Sequence, residues 1–260
     1  MDTRTLILKQ LDSVAASKNI EILYVCESGS RAWGFPSPDS DFDVRFIYRQ
    51  PLRRYLSVAE QPDQIGMPIN DDLDIYGWDV RKVLRLVGTS NCTPFEWLQS
   101  PIVYYETPGF RTGLWQAMQH YFCARRHIHH YLGVARSALE SMDDEGTIKI
   151  KKLFYVLRPL LAAQWCLDRQ QIAPMNIQPL MDALTADIRR SIKALIEQKE
   201  HAPEGWQILP PPSLMSFIDD AYRRLSSAVG QLEKKQFDLP PLDDYFYSLI
   251  NGYDDTGVTR

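Results

Sequence analysis

Apolar and polar positions divide the chain into two kinds of pattern. Over the first hundred residues, short apolar runs rich in β-branched and aromatic residues alternate with polar, proline-containing segments. The opening run MDTRTLILKQLDSVAASKN threads acids and bases through apolar positions and predicts an amphipathic helix. IEILYVCES, residues 20–28, reads as a buried strand that stops at Gly29-Ser30, and FDVRFIYR, residues 42–49, as the next. A loop through Gln61, Pro62 and Gly66 leads to a third short strand in DDLDIYGWD. Asp79 is placed to cap a helix over VRKVLRLVG that ends at Gly88. Thr93 and Pro94 open another helix, and IVYYE gives one more strand.

Past Pro108 the alternation disappears. Residues 109–141, 147–171 and 213–236 carry apolar side chains three and four apart, with turn material at 143–146, 173–179 and 201–212 between them. This pattern predicts an α/β domain over 1–108, with a mixed sheet, followed by an α-helical half over 109–260.

Composition narrows the class. A chain of 260 residues with 45% apolar and 24% charged residues is ordinary globular protein, and a net charge of −4 excludes a basic coat for non-specific nucleic-acid binding while leaving room for a local basic patch. Cys26, Cys92, Cys123 and Cys166 are scattered without metal-ligand spacing, which fits a reduced, cytoplasmic setting. The first residues lack a secretory pattern, and no window approaches the ~20 apolar residues that span a bilayer.

The chemistry concentrates in GSRAWGFPSPDSDFDVRFIY, residues 29–48. Residues two apart on a strand share a face, so Asp41 and Asp43 bring like charges together, at a cost unless a cation lies between them. A Gly-Ser turn offers backbone N–H groups and a hydroxyl to an anion. Gly29 and Ser30 are thus candidates for phosphate, with Arg31 beside them, and Asp41 and Asp43 for divalent metal. A third carboxylate is expected from DDLDIYGWD. Asp74 is preferred to Asp72, because a carboxylate inside an apolar strand calls for a ligand. Asp39 reads as a turn residue after Pro38.

These residues resemble the nucleotidyltransferases of the DNA polymerase β superfamily, marked by a Gly-Ser turn, a downstream Asp-x-Asp and a later single Asp. The wider run, with DLDIYGWDVRK and FEWLQSPIVY, is similar to the RlaP-type group linked by name to RNA repair, and the similarity returns more loosely in KIKKLFYVLRPLLAAQW. The resemblance implies a nucleotidyltransferase palm with catalytic, metal-holding Asp41, Asp43 and Asp74. It implies Mg²⁺ or Mn²⁺, a nucleoside triphosphate substrate, and transfer of a nucleoside monophosphate to a hydroxyl acceptor with release of pyrophosphate. RNA is the expected acceptor, with protein and small molecules as alternatives and no membrane partner.

In the helical half, Lys151, Tyr155 and Arg158 are spaced four and three apart, one polar stripe expected to grip nucleotide or acceptor, with Leu153, Val156, Leu157 and Leu160 on the buried side. Pro159 is expected to bend that helix. His127, His129 and His130 sit among arginines and read as a solvated basic face rather than a metal site. Trp33 and Trp165 read as core. Two rivals remain: a non-catalytic, antitoxin-like nucleotide-binding module, and a nucleotide-sugar glycosyltransferase, which uses Asp-x-Asp for metal but has no need of the upstream turn.

Overall fold

The computed structural model describes residues 2–67, 73–203 and 205–251. Asp2 caps α1 (Thr3–Lys18), which lays Ile7 and Leu11 against the sheet. β1 (Glu21–Ser28) runs into the short α2 (Gly29–Trp33), and a loop returns the chain through β2 (Phe42–Arg49). After α3 (Leu52–Tyr55) come β3 (Gln64–Gly66) and β4 (Leu73–Asp79). Asp79 caps α4 (Val80–Gly88) as expected, its Oδ1 accepting from the Arg81 backbone N–H at 2.8 Å. α5 (Cys92–Trp97) starts earlier than its Thr-Pro pair suggests, because Asn91 is the cap and accepts from the Thr93 N–H. β5 (Val103–Glu106) completes the sheet.

The sheet order is β3-β4-β2-β1-β5, with β2 and β4 parallel and the other pairs antiparallel, a mixed sheet as the sequence predicts. Strand alternation sorts β2 cleanly: Val44, Phe46 and Tyr48 pack on the α1 side, whereas Ile47 packs on the other face with Val80, Val83 and Leu84 of α4. Asp43 and Arg45 share that second face with Ile47.

The helical half comprises α6 (Phe110–Met118), α7 (Ala124–Leu139), α8 (Ile150–Arg169), α9 (Ile177–Leu180), α10 (Ala186–His201), α11 (Pro212–Val229) and α12 (Pro240–Ile250), with a two-residue pairing of β6 (Ile148–Lys149) and β7 (Gln207–Ile208). Pro159 lies inside α8 without ending it. The apolar clusters cross residue 108. Ala32, Trp33, Phe35 and Cys92 join the cluster built on α7 and α8, and Phe110, Leu114 and Leu242 pack with the sheet and α4. Among the described residues no helix is long and apolar enough to cross a membrane.

Candidate active site

The parallel register of β2 and β4 sets Asp43 directly beside Asp74, and the antiparallel register of β1 and β2 sets Ser28 opposite Asp43. The chain must then turn sharply at Gly29, whose φ of +65° is costly for any residue with a side chain. Space imposes the same choice: a Cβ on Gly29 would lie 2.1 Å from Asp43 Oδ2. Gly29→Ala should therefore displace Asp43 as well as strain the turn, lowering stability by about 1–3 kcal/mol. Thermal melting and turnover check this, and an active variant of parental stability would contradict the packing.

Arg45 supplies what two neighbouring carboxylates need. One of its terminal nitrogens donates to Asp43 Oδ1 at 3.1 Å and to Asp74 Oδ2 at 2.8 Å, and the other donates to the Asp74 carbonyl at 2.9 Å. Burial pushes the Asp43 carboxyl above the usual carboxylate range; Arg45 and Lys151 oppose that rise, while Asp74 and Asp41 add to it. Asp41 sits exposed at the mouth, one residue before β2. Among the described residues no three acids, histidines or thiols converge as a ready metal cage. Carboxylate oxygens are nonetheless the donors that hard divalent cations take, and the Arg45 bridge shows that Asp43 and Asp74 accommodate a cation between them. The competing carboxylate, Asp72, lies outside the described residues.

The turn is braced from below and behind. Glu27, fully buried, accepts from the Asp43 backbone N–H at 2.8 Å and from the Tyr104 hydroxyl at 2.5 Å. Burial is the main cause that raises its carboxyl to about 7, from an ordinary 4.5. The folded chain thus holds this proton more tightly than the unfolded one. The resulting stability, about 3 kcal/mol, is whole below pH ~4.5 and is lost as pH rises through 7. Between pH 5 and pH 8 the melting temperature of Glu27→Gln should fall less than that of the parent; parallel curves would contradict the assignment.

Ser30 is buried, and its hydroxyl donates to Ser40 Oγ at 3.0 Å; Ser40 Oγ also accepts the Ser37 N–H. Lys199 of α10, fully buried, donates to Ser37 Oγ at 2.8 Å and so ties the helical half to this loop. Arg31 spends its guanidinium on the carbonyls of Asp41 and Ser40 and stacks 3.9 Å over Phe42. It holds the loop that carries Asp41.

Arg158 departs from the expected polar stripe. It is 1% exposed, ion-paired with Glu96, and donates further to the carbonyls of Met175 and Pro174. Helical spacing placed it with Lys151 and Tyr155, but a carboxylate 62 residues earlier in the chain drew it inward. Lys151 and Tyr155 are half-buried, Lys151 within electrostatic range of Asp43 and Tyr155 edge-on to Trp33 with ring centroids 5.0 Å apart. His127 is also no part of a solvated face: it is fully buried among Phe95, Phe122 and Tyr131, and burial lowers its pKa to about 3. His129 and His130 are exposed. Arg45 and Glu27 were missed as site residues. Both carried a signal, since Arg45 follows Asp43 by one strand period and Glu27 is a carboxylate inside an apolar strand.

A glycine turn closed against paired carboxylates on the central strands of a mixed sheet is the arrangement of the nucleotidyltransferase class. Over residues 3–248 the chain matches the family described as RlaP, the RNA repair pathway DNA polymerase beta family, and it belongs to that family. The uncharacterized protein YcgL of Bacillus subtilis (strain 168) is 38% identical over 235 residues, 90% of each chain. A nucleotidyltransferase-like protein from Exiguobacterium sibiricum 255-15 aligns over 99% of this chain and 83% of its own, at 11% identity and a TM-score of 0.32, too loose a likeness to carry weight.

Proposed function

We propose that this protein transfers a nucleoside monophosphate from a nucleoside triphosphate to a hydroxyl acceptor and releases pyrophosphate. The observation that carries the reading is the side-by-side placement of Asp43 and Asp74 against a turn that only glycine fits. The turn at Gly29 and Ser30 brings backbone N–H groups toward the phosphates. The acceptor oxygen bonds to the α-phosphorus as the bond to the β-phosphate bridging oxygen breaks, and the hydroxyl proton passes to a site carboxylate, Asp74 in this scheme. Mg²⁺ or Mn²⁺, held by the carboxylates of Asp41, Asp43 and Asp74, would neutralise phosphate charge and acidify the acceptor hydroxyl. Arg45 would then give up one or both of its carboxylate partners.

RNA is the proposed acceptor. The family description points to RNA repair, and a groove of about 520 Å³ between α7 and α8, lined by His129, His130, Lys152 and Tyr155, continues from the site with room for a polyanion. Four free, buried cysteines suit a reducing compartment such as the cytoplasm. The Arg45 bridge also favours a second reading, a nucleotide-binding module without turnover, because the chain itself already supplies the cation. One experiment separates them: incubation with each α-labelled nucleoside triphosphate, divalent metal and total RNA or lysate. Label in a macromolecule or small acceptor supports transfer and identifies the acceptor. Binding without label transfer under every condition supports the module.

A further inference from the structure

Next to the carboxylates lies a cavity of about 240 Å³ whose lining runs from Gly29 and Asp43 to Glu96 and Arg158, with Trp33 and Tyr155 among its walls. It is smaller than the roughly 300–1,000 Å³ of a site that encloses a whole drug-sized ligand, so it takes one part of a nucleotide rather than all of it. Its neighbour between α7 and α8 shares His130, Val134 and Tyr155 with it, so the cavity lies between the Gly29 turn proposed for the phosphates and the groove proposed for the acceptor. Aromatic walls suit a planar ring.

Glu96 is the one acid in the lining besides Asp43. Arg158 and the Tyr131 hydroxyl, the latter at 3.0 Å, both donate to its Oε1. Among the described residues no donor reaches Oε2. An ionised carboxylate only accepts hydrogen bonds, and Glu96 is partly exposed, so Oε2 meets solvent until an N–H or O–H from whatever fills the cavity replaces it. Adenine, cytosine and guanine each carry an exocyclic amine. Uracil carries a carbonyl in place of the amine; only its ring N3–H, flanked by two carbonyls, can donate to the carboxylate, and that approach brings acceptor against acceptor on either side.

We propose that this cavity receives the base of the nucleoside triphosphate and that Glu96 makes it selective for bases with an exocyclic amine over uracil. The inference rests on the nucleotidyl-transfer reading and adds the part of the substrate that is read. Arg158 and Tyr131 act through Glu96, by fixing its carboxylate.

The test is calorimetric binding of ATP, CTP, GTP, UTP and inorganic tripolyphosphate to the whole chain with Mg²⁺. The expected result is that at least one amine-bearing triphosphate binds about tenfold or more tightly than UTP. An analogue of that nucleotide with hydrogen in place of the amine should lose the advantage. Glu96→Gln presents an amide N–H and should narrow or invert the preference. Because that variant leaves Arg158 without its charge partner, the parental series decides if it fails to fold. UTP binding as tightly as the others, or tripolyphosphate matching all four, overturns base selection and leaves the transfer reading standing. No binding of any triphosphate overturns both.

Discussion

Asp43→Ala should reduce nucleotidyl transfer by roughly 10³-fold or more while the protein melts within about 3 °C of the parent in the absence of metal. The two halves of this expectation have separate causes. Turnover falls because Asp43 is the carboxylate that faces both the Gly29 turn and Asp74. Stability holds because burial disfavours the ionised carboxylate in the folded chain, so removing it relieves a cost. Arg45 keeps Asp74, which it contacts at both side chain and backbone. A variant that retains turnover would place the chemistry elsewhere, and one that melts far below the parent would make the Asp43–Arg45 pair chiefly structural.

Arg158→Ala should act in the opposite way, through the fold. It removes a buried guanidinium from an ion pair and strands Glu96, a loss of about 3–5 kcal/mol, or about 6–20 °C in melting temperature. Nucleotide affinity should fall with it, because Arg158 also fixes the Glu96 carboxylate. The double replacement Glu96→Leu with Arg158→Met leaves neither charge unpaired and should recover much of the lost stability. Paired melting curves check this. An Arg158→Ala protein that melts like the parent and loses only affinity would restore the role its helical spacing suggested.

What the sequence made legible, and what it hid, follows from the range of the forces involved. β2 falls on residues 42–49 as read, because its alternation and its flanking turns are local. The Asp79 cap was legible for the same reason, being a contact with the second residue along. α10 was overlooked because ADIRRSIKALIEQKEH carries few apolar residues on a long charged helix; its buried positions Ile192, Leu195, Ile196 and Lys199 do hold the helical spacing. Lys199 at the last of these looks like surface until Ser37 is found against it. Arg158 and His127 misled in the same manner: both are polar on a helix, and their burial depends on partners far along the chain. Asp43 and Asp74 were each legible as carboxylates in apolar strands, but their pairing depends on the register of β2 against β4, and Asp41, read as sharing a strand face with Asp43, lies just before β2. That Arg45 bridges Asp43 and Asp74 required the same register.

The most direct measurement is the phosphorus product of turnover, followed by ³¹P nuclear magnetic resonance with a nucleoside triphosphate, Mg²⁺ and total RNA. Attack at the α-phosphorus beside Asp43 and Asp74 predicts pyrophosphate as the released product, formed in step with nucleoside monophosphate esterified to an acceptor and absent in Asp43→Ala. Release of inorganic phosphate with nucleoside diphosphate, or pyrophosphate that persists undiminished in Asp43→Ala, would contradict it.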